Sequence, residues 1–478
     1  MATVSGRGPT PSLRAASRGL VRIVPPALWV VAALLVLPML VAAATYRGLL
    51  DPLAIGVAGV TAIVFTLVNP RATLLLYVAL IPWDDFIAVG EAGTITRAVG
   101  AVFFAGYFLH RFGQMRLRTI PLSGWGFLAW ALASVAWSLD QSVAVSHLVT
   151  LLQLFAMMIV VADFAVEDPE IVRKVLIAFS LSAVGTAVFA IGAAAVGGGI
   201  TEDRIGAFES QDVAQFAALL VPAFLFLLVE LVEWRRPLIA GAGFMLVTAG
   251  IVLSGTRSAW VAAGVGAAVI ILPLIGRRGL VPIVMIGLAG LSLFMIDELR
   301  GVIVDRLSTA LESGGSGRID IWAVGLNIFG SEPLLGVGYG NFPVAFTPEV
   351  IRETNVPGLD INVLDPGAGS HSIIVGTLVE LGVVGFILLV PFLARVILGR
   401  AGGGATWVVV HGAVVALLAQ SLFLDVLNRK HVWLFFGLAL GMIWRAAADA
   451  RDREREQIEA AERKARETAA RLTWVPRT

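Results

Sequence analysis

Val261-Ala262-Ala263-Gly264-Val265-Gly266-Ala267-Ala268-Val269-Ile270-Ile271-Leu272-Pro273-Leu274 decides the architecture: fourteen positions without a charged or hydrogen-bonding side chain. A barrel strand in lipid would alternate polar and apolar residues with a period of two. Neither this run nor the one from Ala27 to Leu40 alternates, so both read as membrane helices, the other structure that satisfies its own backbone groups in hydrocarbon. Similar runs recur along the 478 residues, which are 58% hydrophobic and 14% charged, against roughly 25% charged in an ordinary soluble protein. The chain is expected to be all-α, a polytopic integral membrane protein with about 12–14 transmembrane helices and one long extracytoplasmic loop.

Spans are expected near 26–44, 52–68, 71–89, 95–110, 120–138, 144–163, 171–196, 212–231, 237–253, 256–275, 279–296, 371–394, 404–424 and 431–446, each near the length that crosses ~30 Å of hydrocarbon. The organisation is then a disordered cytoplasmic tail (1–24), helices 1–11 (25–296), the loop (297–370), helices 12–14 (371–446) and a charged cytoplasmic helical tail (447–478). Orientation follows from basic residues in short loops. With the N-terminus in the cytoplasm, inner loops take Arg71, Arg111, Arg116, Arg118, Arg173, Lys174, Arg235, Arg236, Arg277, Arg278, Arg395 and Arg400. Outer ends take half as many: Arg47, Arg97, Arg204, Arg257, Arg429 and Lys430. The loop 297–370 therefore falls outside the cell. A net charge of +1 gives no ground for a nucleic-acid partner, and a chain without cysteine has no thiolate or disulfide chemistry.

Charged side chains at span ends are the candidates for function. Arg257 sits in Leu253-Ser254-Gly255-Thr256-Arg257-Ser258-Ala259-Trp260, a turn leading into a helix start, where free N–H groups and the dipole favour an anion. A guanidinium there can hold phosphate oxygens in pairs, or it can simply snorkel to water. Arg318 follows Gly314-Gly315-Ser316-Gly317, with Trp322, Gly325 and Phe329 after it at helical spacing; it can pair with Asp320 or Glu312, or bind phosphate. Gly336-Val337-Gly338-Tyr339-Gly340-Asn341-Phe342 lacks the preceding strand of a dinucleotide fingerprint. Its glycines are expected to fold the loop back over the membrane surface, with Asn341 capping or fixing a turn.

His371 is the strongest catalytic candidate, standing where the polar loop meets an apolar helix, because imidazole can donate or accept a proton near neutral pH. Glu380, nine residues on, calls for an interhelical hydrogen bond. Arg204 occupies another outer loop. His147, His411 and His431 sit singly near span ends, and no histidine set forms a metal cluster. The tail from Ala447 onward reads as an exposed helix laced with i,i+4 pairs.

Taken in order, Ser254-Gly255-Thr256-Arg257-Ser258-Ala259, Ser316-Gly317-Arg318 with Trp322, Pro333 to Phe342, and His371-Ser372 ahead of Glu380-Leu381-Gly382-Val383-Val384-Gly385 resemble the O-antigen ligase and polymerase superfamily. The resemblance is specific over about Arg204 to Gly385. It implies a bacterial inner-membrane glycosyltransferase of the GT-C type that moves a saccharide from undecaprenyl pyrophosphate to an acceptor hydroxyl at the outer face. It implies no cofactor and generally no metal. The partners are then the lipid-linked glycan donor, a glycan or glycolipid acceptor and membrane lipids. Residue by residue, Arg257 and Arg318 match the arginines thought to hold pyrophosphate, and His371 matches the essential histidine, as base or as hydrogen-bond partner of the leaving phosphate. Arg204 matches a less uniform arginine; Trp322, Gly338, Asn341 and Glu380 fall on the substrate-binding side. Where the family often has an aromatic after the histidine pair, this chain has Ile373-Ile374. A polymerase fits the same motifs as a ligase. A lipid-linked oligosaccharide flippase is the rival from another class, but it would place its cations at mid-membrane rather than at the outer boundary.

Overall fold

The computed structural model describes residues 69–84, 94–111, 113–195, 200–201, 204–205, 212–233, 235–278, 318–354, 364–402 and 404–473. The expected spans 26–44, 52–68 and 279–296, and residues 297–317 of the loop, lie outside the described residues. The described helices are α1 (Pro70–Leu80), α2 (Ile95–His110), α3 (Leu122–Ala133), α4 (Gln141–Glu167), α5 (Pro169–Ala195), α6 (Val213–Val232), α7 (Pro237–Leu253), α8 (Arg257–Arg278), α9 (Arg318–Ser331), α10 (Phe342–Ala345), α11 (Pro348–Glu353), α12 (Ile373–Leu398), α13 (Ala405–Ser421) and α14 (Lys430–Thr473). A two-residue antiparallel pair, β1 (Ile200–Thr201) and β2 (Arg204–Ile205), lies between α5 and α6. The chain is thus an all-α polytopic membrane protein. Five described helices, α4, α5, α6, α12 and α14, are long and apolar enough to cross a membrane, and six shorter apolar segments accompany them. Leu181, Leu238, Leu272 and Ile387 stand exposed on these helices, a cost in water that lipid removes.

Residues 1–114 form one compact unit and 115–478 another. In the first, Asn69 and Thr94 cap α1 and α2 by accepting the N–H groups of Ala72 and Arg97, and Tyr77 packs with Phe103 and Phe104.

In the second unit α4 pairs with α14, α8 with α13, α7 with α6, α12 with α3, and α9 with α12. Small residues allow the close crossings, as in membrane helix pairs generally. Gly266 of α8 lies against Ala416 of α13 and Leu225 of α6, and Gly412 of α13 lies against Ile270 of α8. Those contacts make α8 antiparallel to α13, and Gln215 at the start of α6, which donates to Asp425 O beyond the end of α13, makes α6 antiparallel to α13 and so parallel to α8. The starts of α6 and α8 and the end of α13 therefore share one end of the bundle. In α14 the apolar first half is buried, whereas every described residue from Asp449 onward is exposed. The helix does not stop where hydropathy stops. Its 44 residues span about 66 Å at 1.5 Å each, with i,i+4 pairs such as Arg463–Glu459 and Arg466–Glu462 along the exposed half.

α12 is broken. Gly382 adopts φ 66°, ψ −169° within it, a region essentially confined to glycine, so two helical pieces meet there. A break in a membrane helix frees backbone groups that need new partners, and the loop before it supplies them. Val337 N–H donates to Val379 O at 2.9 Å, Gly338 N–H to Glu380 O at 2.9 Å, and Val383 N–H to Pro333 O at 2.9 Å. Trp130 of α3 donates its indole N–H to Leu381 O at 3.0 Å.

Candidate functional site

The glycine-rich turn expected to lie over the membrane surface instead tucks into the break of α12. At Gly338 φ is 99°, and a Cβ there would meet Ser138 Cα at 2.7 Å; glycine is the residue that permits both the turn and the approach. Tyr339 N–H donates to Ser134 Oγ at 3.0 Å. Asn341, fully buried, does not cap α10 with its side chain. Its Oδ1 accepts the Asp140 N–H at 2.7 Å, and its Nδ2 donates to Tyr339 O at 3.2 Å. It therefore ties the turn to the start of α4. Glu380 bonds from α12 to the start of α10, through backbone partners: its side chain accepts the N–H groups of Phe342, at 3.3 Å, and of Gly340. Gly338, Asn341 and Glu380 thus form one clasp between loop and helix.

His371 sits at the mouth of α12 with φ 48°, a left-handed conformation that histidine adopts more readily than most residues. Two buried serines hold the turn. Ser370 Oγ donates to Ser372 O at 3.1 Å, and Ser372 caps α12 through Val375 N–H at 3.5 Å. Trp322 of α9 donates its indole N–H to Ser370 O at 3.1 Å and lies 6.2 Å from Phe423 between ring centres. Trp322 is a brace for the histidine turn rather than a free stacking platform. Burial first, and Arg318 second, hold the His371 imidazole below its ordinary pKa, while Asp212 and Asp425 pull the other way. Its neutral form, with one nitrogen free to accept a proton, is therefore favoured near pH 7.

Arg257 opens α8 after a buried turn in which Gly255 has φ 61°. Ser254 Oγ donates to Ile251 O and accepts from Thr256 N–H, and Trp260 Nε1 donates to Ile251 O. The helix pairing puts Arg257 at the same end of the bundle as Asp212, at the start of α6, and Asp425, between α13 and α14. Gln215 of α6 fastens the latter position by donating Nε2 to Asp425 O at 2.9 Å. Arg204 lies on β2, its backbone paired with Thr201. Beside the glycine turn is a recess of about 70 Å³ lined by His147, Tyr339, Thr377, Glu380, Asp425 and Asn428, by Ser370 and Ser372, and by apolar side chains including Phe127, Ile373 and Leu427.

Asp212, Asp425 and His147 come to the site only through packing. Asp212 carries a helix-capping signal, accepting from Ala214 and Gln215 N–H; Asp425 reads as an ordinary loop residue until α6 and α13 are packed together. Among the described residues no group of histidines and carboxylates is arranged to hold a metal ion.

Residues 242–390 match the model of a protein family described as O-antigen ligase. The stretch from α7 to the middle of α12 thus carries an O-antigen ligase domain. The match runs from α7 through the loop to the middle of α12 and includes Arg257, Arg318, His371 and Glu380. The family is one of glycosyltransferase-like ligases and polymerases, and it implies a lipid-linked glycan and an acceptor as substrates. No curated protein matches the chain.

Proposed function

We propose that this protein transfers an oligosaccharide or polysaccharide from undecaprenyl pyrophosphate to an acceptor hydroxyl at the outer face of the bacterial inner membrane. Both termini then lie in the cytoplasm. The observation that carries the reading is the convergence at one end of the bundle: a neutral-leaning His371 beside Arg318, with the start of α8 and its Arg257 at the same level. The domain organisation expected from the sequence is kept, with 297–370 as the extracytoplasmic loop.

The polyprenyl tail lies among the apolar helices while its pyrophosphate reaches the bundle end. Arg257 and Arg318, at the starts of α8 and α9, hold the phosphates with help from the helix N-termini. The acceptor oxygen attacks the anomeric carbon, the bond from that carbon to the phosphate oxygen breaks, and the hydroxyl proton passes to His371. Direct attack inverts the anomeric configuration. The arginines stabilise charge gathering on the departing pyrophosphate, a contribution worth roughly 10²–10³ in rate per donor lost. Arg204, on β2, is assigned a lesser contact to the glycan, and the step is written without a metal or cofactor.

The test is transfer by purified protein in nanodiscs, with an undecaprenyl-pyrophosphate oligosaccharide, candidate acceptors and EDTA. Inverted product and one undecaprenyl pyrophosphate released per transfer are expected. Growth of the donor's own chain identifies a polymerase, and capture by a different glycolipid a ligase. Donor that crosses between leaflets without transfer overturns the reading in favour of a flippase.

A further inference from the structure

The recess beside the glycine turn is walled by groups with the chemistry of a carbohydrate site. Two carboxylates, Glu380 and Asp425, face it together with the Asn428 amide, the Thr377 hydroxyl, the His147 ring and the Tyr339 ring. His147 and Tyr339 meet edge to face, with ring centres 6.4 Å apart at 84°. Glu380 is already engaged by the Gly340 and Phe342 N–H groups and forms the floor. His147, Asp425 and Asn428 also border the recess. All three lie outside the matched stretch 242–390, so the family match assigns them nothing.

Size and polarity decide what fits. A cavity of about 70 Å³ has room for roughly five waters at ~15 Å³ each. That accommodates one hydroxyl-bearing edge of a sugar ring, and it is too small for a polyprenyl chain, while Phe127, Ile373 and Leu427 add apolar surface for the C–H face. Neutral hydroxyls suit the set, because carboxylates and an amide accept and donate to vicinal diols while an aromatic ring covers the apolar C–H face.

We propose that this recess is the acceptor-saccharide subsite, in which Asp425, Asn428 and His147 hold the hydroxyl edge of the acceptor sugar beside His371. The proposal rests on the transferase reading for the identity of the sugar as acceptor. Ser370 and Ser372, which flank His371 in the chain, also line the recess, so a sugar seated there lies against the histidine turn. Arg318, Asp212 and Asp425 all lie within electrostatic reach of the His371 imidazole, so the recess that Asp425 borders adjoins the histidine.

The experiment has two readouts on the full chain in nanodiscs. Steady-state transfer is measured against acceptor and donor separately for wild type, Asp425→Asn and Asn428→Ala. Asp425→Asn keeps an oxygen for the Leu427 N–H that the carboxylate now accepts, which preserves the local turn. The expected result is a rise in acceptor KM of about tenfold or more, with donor KM within about twofold of wild type. An unchanged acceptor KM in both variants, or an equal rise in donor KM, overturns the subsite. The second readout is saturation-transfer NMR with neutral hexose disaccharides and chitobiose, which needs no turnover. Saturation by wild type that is lost in Asp425→Asn supports a saccharide site even if no transfer is detected, a result in which only the transferase reading fails. Absence of saturation in wild type, or equal saturation in the variant, overturns the proposal.

Discussion

α12 and α14 are both long and apolar at their cores, yet one is broken and the other runs unbroken through 44 residues. α14 needs nothing beyond its own hydrogen-bond ladder. Its buried half packs on α4 through Gly437 and Gly441, which rest against Met158 and Ala162, and its charged half continues as a solvated helix. α12 gives up ladder bonds at Gly382 and recovers them from Pro333, Val337, Gly338 and Trp130. A membrane helix tolerates such a break only where other protein groups satisfy the freed carbonyls. The site assembles at the same place, because the loop that repairs α12 also delivers Tyr339, Asn341 and Phe342 to Glu380, two turns below His371.

The sharpest way to break this contrast is Gly382→Ala. A Cβ would overlap the Leu334 carbonyl, and the backbone angles suit glycine alone, so the loop should detach and transfer should fall more than about 100-fold. The matched change in the unbroken helix, Ala460→Gly on its exposed half, should cost about 1 kcal/mol of local helix stability and leave transfer at the wild-type rate. Limited proteolysis of the 333–342 segment, read beside activity, distinguishes the two; equal protease resistance in both variants would show that the break does not hold the loop.

Arg318→Gln tests the electrostatics next. Arg318 depresses the His371 pKa, so removing it raises that pKa. With His371 as the base, activity is lost as the imidazole protonates; the acidic limb of kcat/KM should therefore move to higher pH in the residual activity. A limb that stays in place or moves to lower pH would dissociate His371 from Arg318. The smallest effect is expected from Trp130→Phe, which removes one hydrogen bond to the break and should cost about 1 kcal/mol, seen as a modest drop in thermal stability with transfer retained.

Long apolar runs made the helices legible, since a span is a local property of roughly 20 residues. The start of α2 at Ile95 and the α7–α8 turn at Ser254-Gly255-Thr256 could be placed from composition and turn residues alone. The break in α12 could not, because Leu381-Gly382-Val383-Val384-Gly385 is as apolar as any span and its second glycine is helical. A buried glutamate two residues before a glycine was the available signal. Asp425 and His147 were equally hidden, one in a short loop and one at a span end; packing across α4, α6 and α13 brings them to the recess. The continuity of α14 beyond 446 was masked by the fall in hydropathy, although Ala, Glu and Arg there are strong helix formers.

The central claim is that His371 and the arginines at the starts of α8 and α9 perform glycosyl transfer. It is tested most directly by single-turnover transfer with saturating lipid-linked donor and acceptor, comparing wild type with His371→Ala and Arg257→Ala. The account predicts rapid transfer by wild type and a loss of roughly 100-fold or more in each variant, with both variants still eluting as folded protein. Transfer that proceeds at the wild-type rate in both variants would contradict it.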